Sequence, residues 1–425
     1  MAPAFGEEDA QVGEREHLPV LRTVDTDGTF IQTLREWGEF AAKLAGRPIF
    51  AANAVIIEEL DRRGQLLKKG LYRHSYPFCW RCDTPLIYYA LDTWFLRVAE
   101  LKEDMLATNE QIHWIPKHVK HGRFGKGIEA APDWAISRNR FWSVPLPIWQ
   151  CESCEEYVCI GSAEELRQLS GADESIQDIH RPYVDRVTWP CKTCQGTMRR
   201  VPEVLDVWFD SGSMPYSSWH YPFEHKEFVE KGFPADLIAE SIEMTRAWFY
   251  VLHVISTALT RKEADTGLPS RSPAFLNAIA SGLIFAEDGQ KLSKKLKNYP
   301  DIESTLQQYG ADSLRLYLLT SASLGEPYRF SENDLRKLRQ NVYMRLWNVY
   351  SFFVRYATIH GWSLQESVAS DHILDRWIIA RTAQFEGDLS REMNSYQIDA
   401  AARLFSPFVD DVSNWYVRRS RGRFQ

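Results

Sequence analysis

Six of the chain's seven cysteines fall into three Cys-x-x-Cys pairs, Cys79/Cys82, Cys151/Cys154 and Cys191/Cys194, with Cys159 left over. Two residues between thiols is the spacing at which a tight turn aims both sulfurs at one point, and it is how many proteins hold zinc. Cys151, Cys154, Cys191 and Cys194 together supply four thiolates and predict a tetrahedral structural Zn2+ site; the alternative is four buried, reduced thiols. The stretch between these two pairs exceeds the usual spacing of about 15–20 residues, so an insertion must separate the knuckles. Cys79 and Cys82 read as a half-site, since two thiolates leave a tetrahedron incomplete and no further Cys-x-x-Cys remains. Disulfides are a poor explanation, because the sequence points to a reducing compartment. The start, Met1 to Asp9, lacks the basic end and apolar core of a signal peptide. No stretch approaches the ~18–20 apolar residues of a membrane span. A cytoplasmic location without a membrane partner is therefore expected.

At 425 residues, 44% hydrophobic and 25% charged, the chain has the makings of two or three soluble domains with real cores. A net charge of -7 argues against nonspecific polyanion binding by the whole surface, and DNA is not an expected partner. RNA depends instead on local patches, and Arg336 to Arg345 and Arg418 to Arg423 are locally basic.

The pattern changes along the chain. Asp25-Thr26-Asp27-Gly28 predicts a turn, and residues 53–63 carry helical spacing that stops at Gly64. From Tyr76 to Pro222 the chain is rich in turns, prolines and short aromatic or β-branched runs, which predicts short strands and knuckles. Ala235 to Ala239 reads as a buried strand. Thr245 to Leu259 reads as a helix, with Phe249, Leu252, His253 and Ser256 on one face. Phe275 to Phe285 reads as another strand, followed by helices at about 302–309 and 311–320. Strand, helix, strand in that order implies a piece of parallel sheet. Beyond Ser331 the spacing is helical, over Leu335–Tyr356, Asp371–Leu389 and about Ile398–Arg418, punctuated by Gly361 and Ser367.

Within this frame, Lys291-Leu292-Ser293-Lys294-Lys295 comes after Asp288-Gly289 and before Leu296-Lys297-Asn298-Tyr299-Pro300-Asp301. Three mobile ammonium groups on a glycine-led loop suit a polyphosphate and the charge that builds up when it is cleaved. The loop resembles the Lys-Met-Ser-Lys-Ser loop of class I aminoacyl-tRNA synthetases. The run from Leu296 to Asp301 looks like the isoleucine–tRNA ligases rather than their valine or leucine relatives. The resemblance covers nearly the whole chain. Ser75 to Cys82, Trp134-Ala135-Ile136-Ser137-Arg138, Asp206-Val207-Trp208-Phe209-Asp210-Ser211-Gly212, Arg246-Ala247-Trp248-Phe249-Tyr250 and Asn414 to Arg419 are similar to that family, in its order.

The resemblance implies an α/β fold: a partial Rossmann-like core, a strand-rich zinc-binding insertion and a truncated helical bundle. It implies an editing-domain remnant over 1–70 and a return to the core over 71–233, with the knuckle insertion at about 148–200. The C-terminal half of the core would span 234–330 and an anticodon-binding helical domain 331–425. Lys291, Ser293, Lys294 and Lys295 would bind ATP, used with Mg2+, with Lys291 and Lys294 catalytic. Glu240 would face the amino acid's ammonium, Glu243 would also line the substrate site, and Trp208 and Trp248 would wall the isoleucine side chain. Asp9 matches an editing-site aspartate; its plain reading is a turn or cap residue. The four-cysteine set matches a zinc site of part of the family, and Cys79/Cys82 matches half of another whose partner pair lies upstream.

The family's His-Ile-Gly-His motif has no counterpart here. Ser241, Glu243 and Met244 stand where the family usually has glycine, aspartate and glutamine, and Lys295 replaces a serine. The expectation is a fragment inactive alone, its partners being isoleucine, tRNA(Ile) and a complementing N-terminal piece. Two other readings are a valine-type synthetase fragment and a non-catalytic zinc- and RNA-binding module.

Overall fold

The computed structural model describes residues 2–79, 82–171, 178–262, 264, 266–292, 296–363 and 370–425. Ser293, Lys294 and Lys295 of the lysine loop, and Ser367, lie outside the described residues. The chain divides into two compact units, residues 1–93 and 94–425.

In the first unit, α1 (Glu7–Arg15) opens with Glu7, Glu8 and Asp9 in its first turn, where carboxylates complement the helix dipole. The Asp25–Gly28 turn closes through the Gly28 N–H to the Asp25 carbonyl at 3.0 Å. Helix α2 (Ile49–Arg62) ends just before Gly64, which takes φ +64°. Leu34, Leu44 and Ala52 form the small core of this unit.

The second unit is organised by two sheets. The first is parallel, with order β6 (Ala235–Ser241), β7 (Phe275–Ser281), β1 (His113–Ile115). Helix α6 (Trp248–Leu259) joins β6 to β7 and buries the four residues whose spacing predicted it, Phe249, Leu252, His253 and Ser256. Trp114 of β1 is buried among Phe124, Phe249 and Phe275, at ring-centroid distances of 4.6, 5.8 and 6.0 Å. The second sheet is antiparallel, with order β3 (Tyr157–Cys159), β2 (Ile148–Cys151), β5 (Thr197–Arg200), β4 (Thr188–Pro190). It has its own core of Trp149, Leu166, Val184, Trp189 and Met198.

Helices α7 (Ile302–Tyr309) and α8 (Ala311–Thr320) fall at the expected residues, separated by Gly310 at φ +81°. The helical tail contains α9 (Glu332–Arg339), α10 (Arg345–Ile359) and α11 (Ile373–Asn394), then a helical run over 398–424. No described helix is long and apolar enough to cross a membrane.

Three expectations need correction. Strand β6 is not buried: Ile238 alone is inaccessible and Leu237 is 39% exposed, because β6 pairs on one side only among the described residues. The 76–222 region is not only strands and turns, since it contains the helices α3 (Lys102–Asn109) and α4 (Ala163–Ser170). The helix expected from Thr245 starts at Trp248; a short 3₁₀ turn, Ile242–Arg246, precedes it, and Ala247 breaks the geometry at φ -136°, ψ -107°.

Candidate functional site

The carboxyl ends of β6 and β7 lie side by side, with Glu240 opposite Ala280 and Ser241 opposite Ser281. In open α/β sheets this edge is where ligands bind. Ser241 ends its strand by capping the next turn: its side chain accepts the Glu243 N–H at 3.3 Å. That bond holds the Glu243 backbone in the turn that follows the strand.

On the β7 side, Gly282 lets the chain pass the Glu326 carbonyl, from which a Cβ would stand only 1.9 Å away. β8 (Ile284–Phe285) then pairs with β9 (Tyr328–Arg329). A tight reversal through Gly289 at φ +83° returns the backbone so that Lys291 pairs with Phe285. The result is an ion pair across the strand ends, with Lys291 Nζ donating to Glu243 Oε1 at 2.9 Å. Both groups are well exposed, so the contact adds little stability. The pair marks where the Phe285–Lys291 pairing has set the head of the lysine loop, at the strand ends. A cavity of about 430 Å3 opens there, lined among others by Glu240, Ser281, Gly282, Leu318, Tyr328 and Ile398.

The two expected tryptophans are carried by neighbouring helices. Trp208 lies on α5 (Val207–Gly212) and is 38% exposed, while Trp248 opens α6 and is half-buried. The Trp248 indole N–H donates to the Ser211 carbonyl at 3.0 Å. Gly212 permits the helices' close approach, since a Cβ there would meet the Val251 backbone at 3.1 Å.

What holds α5 is Asp206, a residue that the sequence offers only as the first member of a motif. It is buried, and its carboxylate accepts from the Trp208 N–H at 3.2 Å, the Trp134 indole at 3.2 Å and the Arg138 guanidinium at 2.5 Å. An aspartate immediately before a short helix is an N-cap signal, and that signal is present in the sequence.

The four-cysteine set is assembled. All four sulfurs lie within 4.8 Å of one another, with Cys151–Cys194 at 3.4 Å and Cys154–Cys191 at 3.8 Å. Bonds of ~2.3 Å to a tetrahedral zinc would set sulfurs about 3.8 Å apart, so the donors fit such an ion. Each knuckle has the same backbone. The first cysteine's N–H reaches the carbonyl five residues on, Cys151 to Glu156 at 2.7 Å and Cys191 to Gly196 at 2.6 Å. The fourth residue on is left-handed and donates back to the cysteine carbonyl: Glu155 at φ 61°, Gln195 at φ 64°. The N–H groups of Ser153 and Cys154 lower the Cys151 thiol to about 7, and those of Cys194 and Thr193 lower the Cys191 thiol. Against the N–H groups of Glu156 and Gly196, the neighbouring sulfurs and burial raise the Cys154 thiol to about 12 and the Cys194 thiol as well. Thiolates are the metal-binding form.

The Cys79/Cys82 pair repeats this geometry. Cys79 N–H reaches the Thr84 carbonyl at 2.8 Å, and Asp83, at φ 57°, donates to the Cys79 carbonyl at 2.9 Å. Among the described residues no second pair faces it. Asp9 sits in the first turn of α1, in the first unit.

A family model described as class I tRNA synthetases (I, L, M and V) matches residues 8–331. Curated relatives named isoleucine–tRNA ligase align with the whole chain: 41% identity for the protein from Treponema denticola, and 43% each for those from Bdellovibrio bacteriovorus and Chlamydia abortus. The chain spans 38–39% of the length of these relatives. Among solved structures, Mycobacterium tuberculosis methionyl-tRNA synthetase bound by methionyl-adenylate superposes with a TM-score of 0.56 at 16% identity, covering 81% of this chain and 56% of that one. That likeness bears on fold alone.

Proposed function

Because the chain belongs to the class I tRNA synthetases of the isoleucine, leucine, methionine and valine group, we propose that it is the central portion of an isoleucine–tRNA ligase. The whole enzyme would activate isoleucine with ATP and Mg2+ and pass it to tRNA(Ile) in the cytoplasm. The observation that carries this reading is the meeting of Lys291 with Glu243 at the ends of β6 and β7. The identity of the curated relatives supports isoleucine as the amino acid.

In the first step the isoleucine carboxylate attacks the α-phosphate of ATP, and pyrophosphate leaves. Lys291, with Lys294, would neutralise charge that builds on the phosphates, and nucleotide would draw Lys291 away from Glu243. Glu240 would hold the amino acid's ammonium at the strand edge. Trp208 and Trp248, on helices joined through Ser211 and Gly212, would wall an aliphatic side chain. In the second step a ribose hydroxyl at the tRNA 3′ end takes the acyl group.

Zn2+ on Cys151, Cys154, Cys191 and Cys194 would supply structural cross-linking. The Cys79/Cys82 knuckle would be completed by a second pair elsewhere in the whole enzyme. The segments 1–70, 71–233, 234–330 and 331–425 would be editing remnant, return to the core with its insertion, C-terminal core and anticodon-binding helices.

Isoleucine-dependent ATP–pyrophosphate exchange tests the proposal. The chain alone should show none, and mixing it with a polypeptide covering the N-terminal part of a relative should produce it. Robust exchange by the chain alone would refute the incomplete site, and exchange with valine in preference to isoleucine would refute the substrate.

A further inference from the structure

The lysine loop has a neighbour besides Glu243. Arg329 of β9 pairs with Phe285 of β8 on one side, while Lys291 pairs with the same phenylalanine on the other. Strand β9 is seated on the helices around it. The Phe330 N–H donates to the Phe285 carbonyl at 2.9 Å, and its ring meets Tyr317 edge-on at 5.4 Å. The Ser331 N–H donates to the Tyr317 hydroxyl at 2.7 Å. From that base the Arg329 side chain reaches across β8 to the turn at Gly289. A Cβ on Gly289 would stand 2.8, 2.9 and 3.1 Å from the Nη2, Cζ and Nε atoms of Arg329. Three atoms so nearly equidistant mean that the guanidinium turns its flat face, not its edge, to the glycine. The turn beneath is closed by three bonds: Ala286 N–H to the Gln290 carbonyl at 2.9 Å, Gly289 N–H to the Ala286 carbonyl at 2.8 Å, and Gln290 N–H to the Asp288 carboxylate at 2.9 Å. Lys291 follows directly, so whatever holds this turn sets where the loop leaves it.

We propose that Arg329 is a positioning residue for the lysine loop: its guanidinium face, braced on the Gly289 turn, holds the stem from which Lys291 would meet the phosphates. The proposal rests on the synthetase reading for the reaction, and on the contact alone for the brace. A lysine on a slack stem must be ordered each time a nucleotide arrives, whereas on a braced stem only its side chain has to swing from Glu243 to the phosphate. Arginine suits the task because its planar group stacks on flat surfaces and is weakly hydrated, which an ammonium is not. A direct phosphate contact would call for the opposite pose, with the N–H fork turned toward the ligand and the face left free.

The test begins with amide hydrogen exchange on the full chain. Arg329→Ala should speed exchange over residues 284–292 about tenfold while 235–241 keep the wild-type rate. Arg329→Lys, which keeps the charge and loses the plane, should behave like Arg329→Ala. In the complemented enzyme, both variants should lower kcat for isoleucine-dependent ATP–pyrophosphate exchange about tenfold at an unchanged KM for isoleucine. Adding Arg329→Ala to Lys291→Ala should cost little more, since the two act as a unit. Unchanged hydrogen exchange in Arg329→Ala, or full protection in Arg329→Lys, would overturn the brace. Faster hydrogen exchange with an unchanged kcat would overturn its part in the reaction. Complemented wild type that shows no isoleucine-dependent ATP–pyrophosphate exchange would sink the synthetase reading, and with it that part, while hydrogen exchange still decides the brace.

Discussion

The two sheets of the second unit solve the same problem in opposite ways. The antiparallel β3–β2–β5–β4 sheet is self-contained: the turns between its strands place two knuckles within thiolate reach, and its core lies between its own strands and α4. The parallel β6–β7–β1 sheet gathers strands from residues 113–115, 235–241 and 275–281, and β6 has a neighbour on one side only among the described residues. The first is specified locally and would be stapled by an ion. The second is built from distant pieces, and the groups proposed to bind its ligands come from turns and a loop at the strand ends. A metal module of the kind proposed tolerates being self-contained, whereas the adenylate site proposed at the strand ends would need many elements to converge.

The sharpest way to break this contrast is to remove one thiol. Cys191→Ser should abolish binding of one zinc per chain and unfold the antiparallel sheet, a linkage on the order of 10 kcal/mol. Metal analysis and hydrogen exchange should show the loss confined to residues around 148–200, with the parallel sheet still protected. A global collapse would mean the two sheets are not independent.

The parallel sheet should instead respond to acid. His253 is fully buried in α6, its Nε2–H donating to the Met105 carbonyl at 2.8 Å, and burial pushes the imidazole down to about 4. An unfolded histidine titrates near ~6.5, so below that pH the unfolded chain binds the proton first. The stability is complete above ~6.5 and is lost as pH falls toward 4, by about 3 kcal/mol. Denaturation at pH 7.5 and 4.5 should show this fall in the wild type, and His253→Leu should flatten it.

Gly282→Ala probes the link from β7 to β8. With 1.9 Å between an added Cβ and the Glu326 carbonyl, the backbone must move, at a cost of about 2–3 kcal/mol read from chemical denaturation. The smallest stability effect is expected at Glu243→Gln. This exposed pair with Lys291 contributes less than about 1 kcal/mol, so the midpoint of thermal unfolding should hardly move. Lys291→Ala should likewise leave unfolding alone, yet lower exchange in the complemented enzyme by on the order of 100-fold.

Much of this architecture is legible in the sequence. Cys-x-x-Cys spells a knuckle, because two intervening residues and a left-handed fourth are what the turn requires. Asp301, whose side chain accepts the Ser304 N–H, and Gly310 mark the ends of α7 clearly enough to give its bounds. Helix α6 is visible as an apolar run of helical length, though its burial extends beyond one face to every residue from Val251 to Thr257. Strand β1 is not visible: three residues, His113–Ile115, carry no alternation, and pairing with a strand more than a hundred residues away decides their state. The exposure of β6 is hidden for a similar reason, since an apolar run reads the same at an edge as in a centre. Within the site, residue types are readable but convergence is not. Nothing in the local sequence says that Glu243 and Lys291 meet, or that Asp206 gathers Trp134, Arg138 and the start of α5.

Lysine acylation read by mass spectrometry, on the complemented enzyme with and without ATP, asks most directly whether the lysine loop faces a nucleotide. Lys291 and Lys294 should be protected by ATP while Lys192, on the second zinc knuckle, reacts unchanged. Equal labelling of all three with and without ATP would contradict the placement of a phosphate tail at the ends of β6 and β7.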